Sequence, residues 1–304
     1  MSPEDLTGSV VAGYHLLERI GEGGTAVVYR ARHGNRGFCA VKVLRPKMRA
    51  DRTAVQRFLR EAAYGARVEH PGVVRTFEYG EAPDGLQFLA LEWAEGELLA
   101  KFIRRTGPVS PALATDIVRQ IADALSAAHA AGIIHRDLKP ENIIYDPRTK
   151  RARLLDFGHA RDAELRPEER LTRTGFFVGT LQYVAPEALS GALVGEAADI
   201  YSLATIAFLL LTGLLPYSAK SPRELFHQLL TRPPMTLSQS RRELAFSSAL
   251  EEVVARGLHR EPARRQASVT VFADAFAEAA AQPPVPTRPN GLLGSLKGMF
   301  GGSH

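Results

Sequence analysis

Cysteine is nearly absent: Cys39 is the only one in 304 residues. No intrachain disulfide can form, so the chain is expected to hold itself together by packing, in a reducing cytoplasm. Long apolar runs are missing too. The greasiest stretch, Ile206 to Leu215, is interrupted by Thr212 and Gly213 and stopped by Pro216. It is too short to span a bilayer and reads as a buried helix. The opening residues Met1-Ser2-Pro3-Glu4-Asp5 are polar and acidic, unlike a secretory signal. No dense Lys/Arg run with interleaved aromatics occurs, so the net charge of +5 reads as solvated surface arginine and nucleic acid is not an expected partner. No internal repeat is evident.

What is present is ordinary globular composition, 45% hydrophobic and 23% charged, in a chain long enough for one large or two ordinary domains. Against that background one stretch stands out: His135-Arg136-Asp137-Leu138-Lys139-Pro140-Glu141-Asn142, followed by the apolar Ile143-Ile144 and then by Asp156-Phe157-Gly158. Phosphoryl transfer needs a base near the incoming hydroxyl, a cation on the moving phosphate, and oxygen ligands for a divalent metal. A carboxylate, an ammonium and a carboxamide within a few residues, with a second carboxylate shortly after, supply all three. A lone His-Arg-Asp would read as a surface turn; the register with Asn142 and Asp156 argues against that.

Upstream, Tyr14 to Ile20 reads as a strand entering Gly21-Glu22-Gly23-Gly24-Thr25-Ala26-Val27-Val28. Glycines let backbone N–H groups approach phosphate oxygens where a Cβ would clash. Taken alone this is equally a flexible hairpin. The β-branched residues that follow give strand–loop–strand rather than the strand–loop–helix of a dinucleotide or Walker site. The next strand, Phe38 to Leu44, carries one ammonium, Lys42, which is costly in a buried strand unless paired. Taken alone it is either a snorkelling surface lysine or a phosphate-binding lysine held by a carboxylate. A helical segment from Arg57 to Ala63 offers Glu61 as that carboxylate, with Glu69 and Glu78 as rivals. Val73 to Gly80 and Leu86 to Glu92 alternate as strands around Pro83-Asp84-Gly85. Ser110-Pro111 signals a helix start, and Ile117, Ile121, Leu125 and Ala128 share one face of the helix that follows.

These motifs, in this order, resemble the eukaryotic-like (Hanks-type) serine/threonine protein kinases, of bacterial rather than animal type. The resemblance covers roughly Tyr14 to Ala281. It implies an α+β, two-lobed protein-kinase fold: a small antiparallel sheet with one helix in the N-lobe (residues 14–91), a hinge (92–96) and a large, mostly helical C-lobe (97–281). Residues 1–13 are then an N-terminal extension. It also implies ATP as phosphate donor, Mg2+ (with Mn2+ as alternative), and protein serine or threonine as acceptor. Ile20, Gly21, Glu22, Gly23, Gly24, Thr25 and Ala26 would lie over the nucleotide, Ala26 standing where the family has its third glycine. Val28, Ala40 and Ile144 would sandwich adenine, and the backbone of Glu92 and Ala94 would hydrogen-bond it, with Leu91 guarding the back of the pocket. Trp93, the only tryptophan, is expected to pack rather than stack on ligand. Lys42, held by Glu61, would bind phosphates. Asp137 would orient the acceptor hydroxyl and take its proton, Lys139 would screen the γ-phosphate, and Asn142 and Asp156 would ligate the metal. Lys139 is the serine/threonine-type residue. His135 and Phe157 would join an internal hydrophobic spine.

The polar segment between Gly158 and Ala185 resembles an activation loop. Thr172 and Thr174 are its candidate autophosphorylation sites, a phosphate there adding about −1.5 to −2 charge to meet Arg136. A homodimer would allow this in trans. Thr180 resembles the threonine that contacts Asp137 and Lys139. Glu187 of Ala185-Pro186-Glu187 is expected to pair with Arg265, and Asp199 to hold the catalytic-loop backbone. Gly65, four residues after Glu61, would leave a gap in the spine and loosen its helix. Past Gln282 a proline-rich linker leads to Leu292, Leu293, Leu296, Met299 and Phe300, one apolar helical stripe; it is either a greasy disordered end or a helix docking a partner or membrane surface. Two rival readings are a nucleotide-binding pseudokinase scaffold and a small-molecule phosphotransferase of the aminoglycoside type. The first is opposed by the complete set Lys42, Glu61, Asp137, Asn142 and Asp156, the second by Ala185-Pro186-Glu187 and the threonine-bearing loop.

Overall fold

A computed structural model of the chain describes residues 5–155, 161–162, 180–189 and 194–284. Asp156, Phe157, Thr172, Thr174 and the apolar stripe of the tail lie outside the described residues, as does the side chain of Thr180.

The N-terminal part is an antiparallel sheet in the order β1-β2-β3-β4-β6-β5. Its strands are β1 (Val10–Val11), β2 (Tyr14–Glu22), β3 (Ala26–His33), β4 (Gly37–Leu44), β5 (Thr76–Glu81) and β6 (Gln87–Glu92). Helix α1 (Arg52–Arg67) is inserted between β4 and β5, its first turn capped by the Asp51 carboxylate, which accepts from the N–H groups of Thr53 and Ala54. The period-2 alternation of β4 sorts its side chains to two faces. Cys39, Val41 and Val43 join Tyr14, Leu16, Val27, Tyr29 and Phe88 in one apolar layer. Leu44 and Ala26 face Phe58 and Ala62 of α1 on the other. The segment before Tyr14, read from sequence as an extension, supplies edge strand β1; Val11 is buried, and the Leu16 N–H donates to the Ser9 carbonyl at 2.9 Å.

Past the hinge come β7 (Glu97–Leu98), α2 (Leu99–Thr106), α3 (Pro111–Ala130), β8 (Ile133–Ile134), β9 (Ile143–Asp146), β10 (Arg151–Leu154) and β11 (Arg161–Asp162). They are followed by α4 (Pro186–Leu189), α5 (Ala197–Thr212), α6 (Pro222–Thr231), α7 (Leu237–Ser240), α8 (Ser248–Gly257) and α9 (Val269–Ala280). Helix α3 starts where Ser110 and Pro111 signal it, with the Ser110 hydroxyl accepting from the Leu113 N–H at 3.3 Å. Helix α5 is the greasy stretch: it is buried almost along its whole length and ends on Gly213, whose φ of 68° is the left-handed cap that glycine adopts without strain. One core unites α3, α5, α8 and α9. Among the described residues no helix is long and apolar enough to cross a membrane.

Gly96 is where the hinge reaches the C-lobe. Its φ is +119°, and a Cβ there would sit 2.5 Å from the Tyr145 carbonyl oxygen on β9. Only glycine permits this approach of two backbones.

Candidate active site

Lys42 on β4 and Glu61 on α1 form an ion pair, with side-chain exposures of 18% and 13%. Nineteen residues of sequence separate them. Neither rival carboxylate does this: Glu69 is exposed, and Glu78 accepts from Tyr14. Val28 and Lys42 lie opposite one another in the β3–β4 register, and Ala40 faces Leu91 across β4–β6, so one face of the sheet carries Val28, Ala40, Lys42 and Leu91. Ile20 is an exposed apolar side chain at the end of β2. Gly21 and Glu22 end β2, and Gly23 to Thr25 form the turn into β3, closed by the Gly23 N–H donating to the Ala26 carbonyl at 2.8 Å. Ala26 itself is buried as the first residue of β3.

The catalytic-loop candidates come together on one carboxylate. The Lys139 ammonium donates to Asp137 Oδ2 at 2.7 Å. Asn142 Nδ2 donates to the Asp137 carbonyl at 2.8 Å and to its Oδ2 at 3.2 Å. Asp137 is buried, and its N–H lies 3.4 Å from Nδ1 of the buried His135. With its amide nitrogen turned to Asp137, Asn142 keeps Oδ1 as the acceptor for another group, the hard neutral oxygen that suits magnesium. Asp156, the expected companion ligand, lies outside the described residues.

This loop is held from below by Asp199 on α5. Its oxygens accept from the His135 and Arg136 N–H groups, each at 2.9 Å, and Oδ2 lies 2.7 Å from His129 Nε2. Arg136 has φ +63°, a conformation L-residues rarely adopt, and the Asp199 hydrogen bonds hold it there. The Arg136 guanidinium donates to the Val194 carbonyl at 3.1 Å; the threonines whose phosphate is expected to meet it lie outside the described residues. Burial pushes the Asp199 carboxyl up, but the His129 hydrogen bond, the His129 and His135 charges and the Arg136 N–H outweigh it and hold the pKa below the usual carboxylate value. A depressed folded pKa stabilises the fold above the unfolded value of about 3.9, and that contribution is lost as pH falls through the folded pKa. The melting temperature should therefore drop steeply below about pH 4, and less steeply in Asp199→Asn; parallel pH profiles for the two proteins would contradict this assignment.

Sequence reasoning missed what anchors the hinge. Glu92 was expected to serve through its backbone, and its side chain has a separate job. Arg153 on β10 grips its carboxylate with two N–H groups, at 2.9 and 2.5 Å, and also donates to the Val73 carbonyl at 3.1 Å. The Arg153 hydrogen bonds lower the Glu92 pKa against the upward push of burial. A cleft of about 410 Å³ beside this pair is lined by His70, Arg75, Arg151 and Arg153 among others; none of Lys42, Asp137 or Asn142 borders it. Trp93 is partly buried, with Arg30 over its ring at 5.1 Å and its indole N–H donating to Glu95 at 3.0 Å.

Farther along, Glu187 and Arg265 form a bidentate pair, both bonds 2.7 Å. Gly65 is buried in α1.

A sheet-and-helix lobe carrying a paired lysine, joined through a glycine-pinned hinge to a helical lobe carrying an Asp–Lys–Asn cluster, defines a two-lobed phosphotransferase architecture. The chain belongs to the protein kinase domain family, which matches residues 14–277. It is 37% identical over 275 residues to the serine/threonine-protein kinase pkn3 of Myxococcus xanthus, covering 88% of this chain and 50% of that protein. It is 40% identical over 277 residues to PknH of Mycobacterium tuberculosis, covering 91% of this chain and 43% of the relative. The chain thus spans half or less of the length of these relatives. The crystal structure of the Mycobacterium tuberculosis PknI kinase domain superposes with a TM-score of 0.69 at 32% identity, covering 90% of this chain and 98% of that one. Protein kinase domains as a class use ATP and a divalent metal.

Proposed function

We propose that this chain transfers the γ-phosphoryl group of ATP to serine and threonine hydroxyls of protein, with magnesium, or alternatively manganese, as the metal. The observation that carries the reading is the convergence of Lys139 and Asn142 on the buried Asp137 carboxylate. In this reaction the acceptor oxygen attacks the γ-phosphorus, its proton passes to Asp137, and the bond to the β–γ bridging oxygen breaks to release ADP. Lys139 offsets charge on the group in flight, and Lys42, steadied by Glu61, positions the phosphates of ATP. A divalent cation held by Asn142 and Asp156 would neutralise phosphate charge. Ile20 to Ala26 cover the nucleotide, and the hinge backbone at Glu92 and Ala94 reads adenine between Val28, Ala40 and Ile144. We also propose a cytoplasmic setting, supported by the single cysteine.

The reading extends to Thr172 and Thr174 as sites phosphorylated by a second copy of the chain, supported by their place between Asp156 and Ala185-Pro186-Glu187. Radiolabel from γ-labelled ATP should reach the chain itself and a basic test protein, and Lys42→Met should lower transfer by at least about 10²-fold, the scale of losing one preorganised charge on the transition state. Nucleotide binding by wild type without any transfer would overturn the enzyme reading. Mass spectrometry should find phosphate on both threonines in wild type and on neither in Asp137→Asn; the same occupancy in both would place the source in another kinase.

A further inference from the structure

A glycine-rich turn is useful to a nucleotide only if its N–H groups face the phosphates, and glycine alone leaves that direction open. We propose that Arg45 sets it, as a positioning residue acting through the turn; the inference rests on the nucleotide-binding reading above.

Arg45 directly follows β4 and keeps an extended backbone, φ −61° and ψ 142°. Alternation puts it on the face opposite Lys42 and Leu44, away from α1. Glu22 reaches the same outer face, because it lies opposite Val27, a member of the apolar layer there. From that side the Arg45 side chain holds the turn and the strand that enters it, and its backbone joins them within the sheet. Its Nε donates to the Gly23 carbonyl at 3.0 Å, its Nη2 lies 3.1 Å from Glu22 Oε2, and its backbone N–H donates to the Thr25 carbonyl at 2.9 Å. Arg19 also pairs with Glu22. The Arg45 side chain is 12% exposed, so the guanidinium is enclosed by the turn it holds.

The consequence follows from peptide geometry. In a planar trans peptide the N–H of one residue points opposite to the C=O before it. Drawing the Gly23 carbonyl to the outer face therefore turns the Gly24 N–H to the inner face, where Lys42 stands, while the Thr25 carbonyl stays in the plane of the sheet on the Arg45 backbone N–H. That N–H donor and the Lys42 ammonium on one face make a seat for a phosphate oxygen. The guanidinium fork suits this task, since its fixed donors meet a carbonyl and a carboxylate together.

Because the contribution is to phosphates alone, it separates from general damage to the lobe. Arg45→Met keeps the apolar stem and removes the donors. Calorimetric titration should show affinity for ADP falling about tenfold, the order expected for one lost charge-assisted hydrogen bond, with affinity for adenosine unaltered. In steady-state assays the KM for ATP should rise while kcat changes little. Equal weakening toward ADP and adenosine, or ADP affinity equal to wild type, would overturn the role of Arg45. Failure of the wild-type chain to bind either compound would instead overturn the nucleotide-binding reading and this inference with it.

Discussion

Asp137→Asn is expected to lower phosphoryl transfer by roughly 10²–10⁴-fold, the range for removing a positioned general base. Nucleotide affinity should barely change. The substitution is close to isosteric, and the carboxamide keeps one oxygen that can accept from Lys139 and Asn142. What it loses is the capacity to take the acceptor's proton and the negative charge facing the Lys139 ammonium 2.7 Å away. The loop should stay folded, because its backbone is held by Asp199 rather than by Asp137. The loss should therefore appear in kcat with little change in the KM for ATP. Steady-state kinetics with ADP titration as the binding control tests this. A variant that still transfers phosphate within tenfold of wild type would remove Asp137 from the base role.

The largest stability effect is expected at Arg265. Both members of the Glu187–Arg265 pair are buried, at 9% and 0% side-chain exposure. The guanidinium also donates to the carbonyls of His259, Ala197 and Arg260, at 2.8, 2.7 and 3.2 Å, and stacks 5.0 Å from the Tyr201 ring centre. Arg265→Ala leaves a buried carboxylate and three carbonyls without these donors, and should cost about 3–5 kcal/mol. Many buried ion pairs can be exchanged for apolar pairs at little cost. This one should resist, because the three carbonyls would still lack their donors after Glu187→Leu is added to Arg265→Met. Denaturant unfolding of the single and double variants measures it. Recovery of the double variant to near wild-type stability would show that the carbonyl contacts contribute nothing.

The catalytic-loop residues were legible in sequence because they lie within eight positions, and a backbone that short brings their side chains to one place. The Lys42–Glu61 pair was legible for a different reason: an ammonium in a β-branched strand demands a carboxylate, and a nearby helix carries one. Residue type marked those demands. It did not mark Arg153, whose partner Glu92 is 61 residues away and looks like any exposed acid at a strand end. Nor did it mark Arg45, one more arginine in a chain with many. The Arg136 contact with the Val194 carbonyl was not legible either, because main-chain carbonyls carry no sequence signature. Strand β1 was too short for periodicity to reveal; two residues cannot alternate visibly.

The Gly96 contact constrains how such a molecule can breathe. With Glu92 bolted to Arg153 at one end and Gly96 pressed on the Tyr145 backbone at the other, the connector between the lobes has only Trp93, Ala94 and Glu95 left to bend. Any rocking that admits or releases a nucleotide must be absorbed by the φ and ψ angles of those three residues or by the sheet as a whole. Stiffening the trio would then slow ligand exchange without touching a single group that meets the phosphates.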